Sequence, residues 1–323
     1  MAILAESQKE LKRWMGVCLL MLAVASFPDL VLRAQMMSRK PIVEVIPILR
    51  LVISRTHIGH VWFLRICLIA GIGTLWFAIK DQPRRYLLLT IEMAAAMLLL
   101  TLTLSGHSAD QGNVSWIVLF DWLHIFVISV WLGGLPNLLG LTLRTVGTQD
   151  KNTRIQLVTD ILNRFSSFAY LCVVLLVTSG TYLSFSRLRA LSNLFGSPYG
   201  LTLVFKITFF ILVLTLGALI RYYVRPSFQR LAGQAAPESR FSGIVRKFIS
   251  RLGGRPGSTD NIFLRSGFRS EQMARIHLKL LISVQCLIAI IILGIATLLT
   301  QTSPPMPENT LQEHSMHMNH TGM

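Results

Sequence analysis

Hydrophobic residues along this chain fall into long blocks separated by short polar segments. Seven such blocks stand out, at 11–32, 61–79, 86–104, 116–143, 165–185, 201–223 and 277–300. An α-helix rises about 1.5 Å per residue, so roughly 20 apolar residues cross a hydrocarbon core of about 30 Å. Isolated strands would leave backbone N–H and C=O groups unpaired in lipid, so every block predicts a membrane-spanning helix. The expected fold is all-α: a polytopic membrane helix bundle of about seven transmembrane helices. It forms one domain over 1–303, followed by a disordered tail over 304–323.

The polar segments suggest an orientation. The segment 225–275 is the most basic and reads as a cytoplasmic loop, with an amphipathic stretch at FSGIVRKFISRL. Alternation then places Arg144, Lys151 and Arg154 inside as well, together with Lys80, Arg84, Arg85 and the N-terminus. The segment SGHSADQGN, free of lysine and arginine, falls outside with the C-terminal tail. One loop runs against the rule: 33–60 carries five basic residues yet must lie outside. Every histidine except His277 then falls on the extracytoplasmic side.

Composition supports the membrane assignment. Hydrophobic residues make up 52% of the chain and charged ones 14%, where a soluble domain carries about a quarter charged. The net charge of +16 would suggest nucleic acid in a soluble protein, but the lysines and arginines sit mostly in loops, where they meet anionic lipid. The expected setting is a multi-pass protein of the cell (cytoplasmic) membrane, with the lipid bilayer as partner and no nucleic acid. The four cysteines lie far apart inside the blocks with no C-x-x-C, so packing is their expected role. The start LKRWMGVCLLMLAVASF reads as a first span, not a cleaved leader.

The tail EHSMHMNHTGM carries the clearest chemistry. His314, His317 and His320 supply imidazoles; Met316, Met318 and Met323 supply thioethers. Imidazole suits several transition metals, and thioether sulfur is soft and selects Cu(I), so the alternation points to copper as Cu(I) and/or Cu(II).

In the fourth block, DWLHIFVISVWLGG places Asp121 and His124 on one helix face, with Trp131 two turns further on. An intramembrane carboxylate and imidazole are functional candidates by default, with Asp121 a ligand or the orienting partner of His124. Gly133 and Gly134 read as permitting close helix approach. His107, in SGHSAD, stands a short loop away from His124. Weaker candidates are His57 and His60 in THIGH, and Glu92, Met93 and Met97, which would form an inner exit site. Asp29 near Met36 and Met37, and Lys206, rank below these. No phosphate-binding loop, haem-attachment sequence or hydrolytic triad occurs, so enzymatic function is not expected.

The stretch SGHSADQGNVSWIVLFDWLHIFVISVWLGGL resembles the copper resistance D family (CopD, PcoD and the membrane part of YcnJ). So do RFSSFAYLCVVLLVTSGTYLSFSRLRALSNLFGSPYGLTLVFK, GALIRYYVRP and a last span ending in SPP. The resemblance covers most of 60–305 and implies a multi-span protein that moves copper inward, often beside a separate CopC-like extracytoplasmic copper-binding protein. It places the family's histidines on His107 and His124. The family commonly has a further N-terminal span, and tends to carry an acid near Gln285 and Cys286, where this chain has none. The expected function is copper movement across the cytoplasmic membrane in copper resistance and homeostasis. The alternatives are a copper chaperone, assembly factor or sensor that does not transport, and a bis-histidine haem carrier.

Overall fold

The computed structural model describes residues 2–39, 41–78, 85–106, 108, 112–144, 150–188, 192–233 and 271–301. All regular structure among these residues is helical. In chain order it comprises α1 (Ala2–Ser38), α2 (Ile42–Val45), a 3₁₀ turn (Ile46–Ile48), α3 (Leu49–Arg55), α4 (His57–Ala78), α5 (Arg85–Leu104) and α6 (Trp116–Arg144). There follow α7 (Lys151–Leu188), α8 (Asn193–Gly196), α9 (Pro198–Leu219), a π-helical turn (Ile220–Val224), α10 (Arg225–Leu231) and α11 (Glu271–Gln301). Seven helices are long and apolar enough to span a membrane, one for each predicted block.

The edges differ where amphipathic helix continues past the apolar block. Helix α7 starts at Lys151, well before 165, because Ile155, Val158 and Leu162 continue a buried stripe at helical spacing. The predicted tail and the amphipathic stretch at FSGIVRKFISRL lie outside the described residues.

The chain divides into two compact units, Met1–Phe126 and Val127–Met323, with the division inside α6. In the first, Ile69, Ile72 and Trp76 of α4 pack on Ile91 and Leu98 of α5, with Leu19 and Leu22 of α1 at the edge. A second cluster joins Leu30 and Ala34 of α1 to Val45, Leu49 and Val52. Those last three explain why 33–60 is not the open loop the sequence suggests. Spaced at i, i+4 and i+7, they give α2 and α3 one apolar stripe that closes onto α1.

The second unit is built on Leu135 and Leu138 of α6, Val158 and Leu162 of α7, Val224, Phe228, and Ala274, Leu278 and Ile282 of α11. Its opposite end is closed by Leu188, Tyr199, Leu203 and Leu299.

One local device starts a spanning helix in each unit. Thr56 Oγ1 donates to Val52 O (2.7 Å) and accepts from Gly59 N (3.0 Å). Ser197 Oγ likewise donates to Asn193 O (2.7 Å) and accepts from Gly200 N (3.0 Å). Each hydroxyl ends one helix and caps the next. The turn is so tight that a Cβ at Gly59 would sit 2.2 Å from Val52 O, and one at Gly200 2.3 Å from Asn193 O.

Candidate metal site and the polar clamp of the first unit

Helix α6 begins at Trp116, just past Ser115, whose hydroxyl accepts from Val118 N at 3.3 Å. One turn on, Trp122 Nε1 donates to Ala96 O of α5 at 2.9 Å, and its ring stacks on Phe126 with centroids 5.6 Å apart. This anchor fixes the rotation of the helix that carries Asp121 and His124, both half-buried. Among the described residues, no group of three or more His, Cys, Asp or Glu side chains comes together. His107 lies outside the described residues, as do His314, Met316, His317, Met318, His320 and Met323.

The weaker candidates are placed as follows. His57 and His60 are exposed at the start of α4, and His60 Nε2 lies 3.2 Å from Ser54 O. In THIGH, the structural duties fall to Thr56 and Gly59. On α5, Glu92 is exposed, Met93 is 66% exposed and Met97 47%. Of the two glycines after Trp131, a Cβ at Gly134 would come within 2.8 Å of the Phe165 ring, whereas Gly133 faces open space. The close-approach role therefore belongs to Gly134 alone.

Of the most developed polar arrangement in this unit, only Asp29 was among the sequence candidates. Arg65, in the apolar run of α4, is 3% exposed. Its Nε donates to Thr101 Oγ1 (3.1 Å) and its Nη1 to Asp29 Oδ2 (3.0 Å). Its Nη2 donates to Thr101 O (3.0 Å) and Ser105 Oγ (2.8 Å). Arg33 Nε takes the other carboxylate oxygen of Asp29 at 2.8 Å, and Arg33 Nη1 donates to Ser105 O. One guanidinium thus ties α1, α4 and α5 together. In lipid, where hydrophobicity drives helix association weakly, such bonds carry much of the packing. Guanidinium has no lone pair to offer a metal, so the clamp is no ligand set. It pins the end of α5, from which the chain runs on through Gly106 to His107. The signal in the sequence was an arginine inside an apolar block together with Asp29 inside another.

These features define a polytopic α-helical membrane protein whose polar groups gather at chosen points between apolar helices. The chain belongs to the copper resistance D family. The family described as "Copper resistance protein D" matches residues 159–248, and "Copper resistance protein D-like, N-terminal domain" matches 2–116. The chain is 32% identical over 122 residues to "Copper transport protein CutJ" of Bacillus subtilis (strain 168), covering 38% of this chain but only 22% of that protein. It is 29% identical over 216 residues to "Copper resistance protein D" of Pseudomonas syringae pv. tomato, covering 65% of this chain and 67% of that protein. No solved structure matches the chain.

Proposed function

We propose that this copper-related membrane protein moves copper ions inward across the cytoplasmic membrane, with a metal site formed by His124, Asp121 and His107. The observation that carries the reading is the half-buried Asp121–His124 turn in a spanning helix of a copper resistance D protein. Imidazole is a good copper donor, and a carboxylate one turn away orients it or adds a ligand. In this account the tail, extracytoplasmic by the charge pattern, collects the ion through His314, Met316, His317, Met318, His320 and Met323. A separate CopC-like protein is a fitting donor. Passage needs weak sequential sites, since one tight site would hold the ion.

The test is copper uptake into sealed vesicles containing the purified protein, compared with a His107→Ala/His124→Ala variant. Uptake that depends on these histidines supports transport. Binding without uptake turns the reading to its rival, a copper chaperone, assembly factor or sensor. In the rival reading Met93 and Met97, both exposed on α5, carry no metal, and their replacement would leave function intact.

A further inference from the structure

The second unit holds two arginines in fixed positions by neutral partners. Arg221, in the π-helical turn, donates through Nη1 to Ser166 O (2.9 Å) and Ser166 Oγ (3.0 Å), and its guanidinium lies 5.7 Å from the Tyr170 ring centroid. Arg225, one turn on, donates through Nε to Asn163 Oδ1 at 2.6 Å, an oxygen that also accepts from Gln229 Nε2 at 3.0 Å. Asn163, Ser166 and Tyr170 share one face of α7, at spacings of three and four. The partners are an amide, a hydroxyl, a carbonyl and a ring, so neither cation is neutralised by what holds it. The charged group that acts on Arg225 is Arg221, a second cation. Nη1 and Nη2 of Arg225, and Nε and Nη2 of Arg221, have no partner among the described residues and are not sealed from the surroundings.

Two guanidiniums one helical turn apart, each held through only part of its fork, have donors left for the oxygens of a phosphate group. The surroundings favour a lipid phosphate. The pair lies near the end of a spanning segment, Pro198–Leu231. Tyr170 is 65% exposed and Tyr222 37%, the kind of aromatic residue that settles at headgroup depth. The chain that follows, 234–270, is rich in arginine. The π-helical turn also interrupts the helical register at Arg221, an irregularity frequent at functional sites. Asp160 and Arg164, of opposite charge and four residues apart, stand exposed on the same helix.

We propose that Arg221 and Arg225, held by Ser166, Asn163 and Tyr170, form a phosphate-binding site occupied by the headgroup of an anionic phospholipid. The site is independent of copper.

The experiment uses the full chain, purified in detergent and then offered phosphatidylglycerol, phosphatidylcholine or inorganic phosphate, with retained lipid measured by native mass spectrometry. Wild type should retain phosphatidylglycerol over phosphatidylcholine. The Arg221→Gln/Arg225→Gln variant should lose that retention by about thirtyfold, from two surface cations removed. Arg221→Lys/Arg225→Lys should keep part of it, and Arg164→Gln should leave it unchanged. A melting temperature equal to wild type separates lost binding from lost folding; if the double glutamine variant unfolds early, the lysine and Arg164 variants decide. Protection by inorganic phosphate without a lipid preference would keep the site and assign it to a soluble phosphate. Equal retention of both lipids with no effect of phosphate would overturn the proposal, as would retention that survives in the double glutamine variant.

Discussion

Arg65 of α4 donates from Nη1 to Asp29 Oδ2 of α1 at 3.0 Å, in a pair where the arginine side chain is 4% exposed and the aspartate 34%. The asymmetry decides which partner matters more. Arg65→Leu leaves Asp29, Thr101 and Ser105 without their shared donor and should lower stability by about 3–5 kcal/mol, the range for a broken buried pair. Asp29→Asn removes the charge that faces a buried guanidinium and should cost about 1.5–3 kcal/mol, less than Arg65→Leu because the other acceptors remain. Arg65→Lys should fall between, because an ammonium cannot span acceptors set around a planar fork. Thermal unfolding in nanodiscs reads all three. Wild-type stability in Arg65→Leu would reduce the clamp to a bystander.

The two hydroxyl-and-glycine turns yield a sharper contrast. Gly59→Ala and Gly200→Ala push a methyl group into a carbonyl oxygen, at 2.2 and 2.3 Å. Backbone has to move, and each should cost about 1–3 kcal/mol. Gly71→Ala and Gly294→Ala place the same methyl in open space within helices, and should be neutral or stabilising by up to about 1 kcal/mol. The comparison is again of melting temperatures. Equal effects at all four positions would mean that helix propensity, not space, governs them.

Gln285 stands where the family resemblance leads one to expect an acid. It is 2% exposed, donates from Nε2 to Val213 O at 3.2 Å, and has no partner for Oε1 among the described residues. Gly217 makes room for it, since a Cβ there would lie 3.3 Å from Nε2. A carboxylate in this setting would face a carbonyl oxygen and could bond to it only when protonated. Gln285→Glu should therefore destabilise by about 2 kcal/mol or more, while Gln285→Leu, which removes both the donor and the orphaned acceptor, should stay within about 1 kcal/mol of wild type. Urea or thermal titration at neutral pH checks both, and a glutamate variant as stable as the wild type would contradict the assigned amide geometry.

The seven spans were legible because a run of about 20 apolar residues admits few structures in lipid. The packing of 42–55 was not legible. Its apolar stripe of Val45, Leu49 and Val52 is too short to register as a span, and only contact with α1 gives it a buried face. The role of Arg65 is hidden in the sequence for a related reason. Clustered histidine and methionine announce chemistry along the chain, whereas a single arginine gains its meaning from Asp29, Thr101 and Ser105, which lie far away in sequence. For Met93 and Met97, spacing of four puts both on one face but says nothing of whether that face turns inward; both are exposed. Asp121 and His124 are candidates from their polarity inside a span and their spacing, while the bond that anchors their helix, from Trp122 to Ala96, is visible only in the structure.

That bond allows the ligand to be separated from its placement. Trp122→Phe keeps an aromatic ring against Phe126 but removes the Nε1 donor to Ala96 O, a loss of about 0.6 kcal/mol for a typical interhelical bond in a membrane. Folding should survive, and copper affinity should weaken by only a fewfold as α6 gains rotational freedom. His124→Ala removes an imidazole and leaves the anchor intact, so stability should hold while the copper equivalent assigned to the membrane site disappears. Asp121→Asn keeps the shape but not the charge; it should weaken copper binding by roughly 10- to 100-fold if the carboxylate orients His124. Copper titrations on a chain shortened at 303 isolate the membrane site from the tail. Equal copper binding by wild type and His124→Ala in that background would remove His124 from the site.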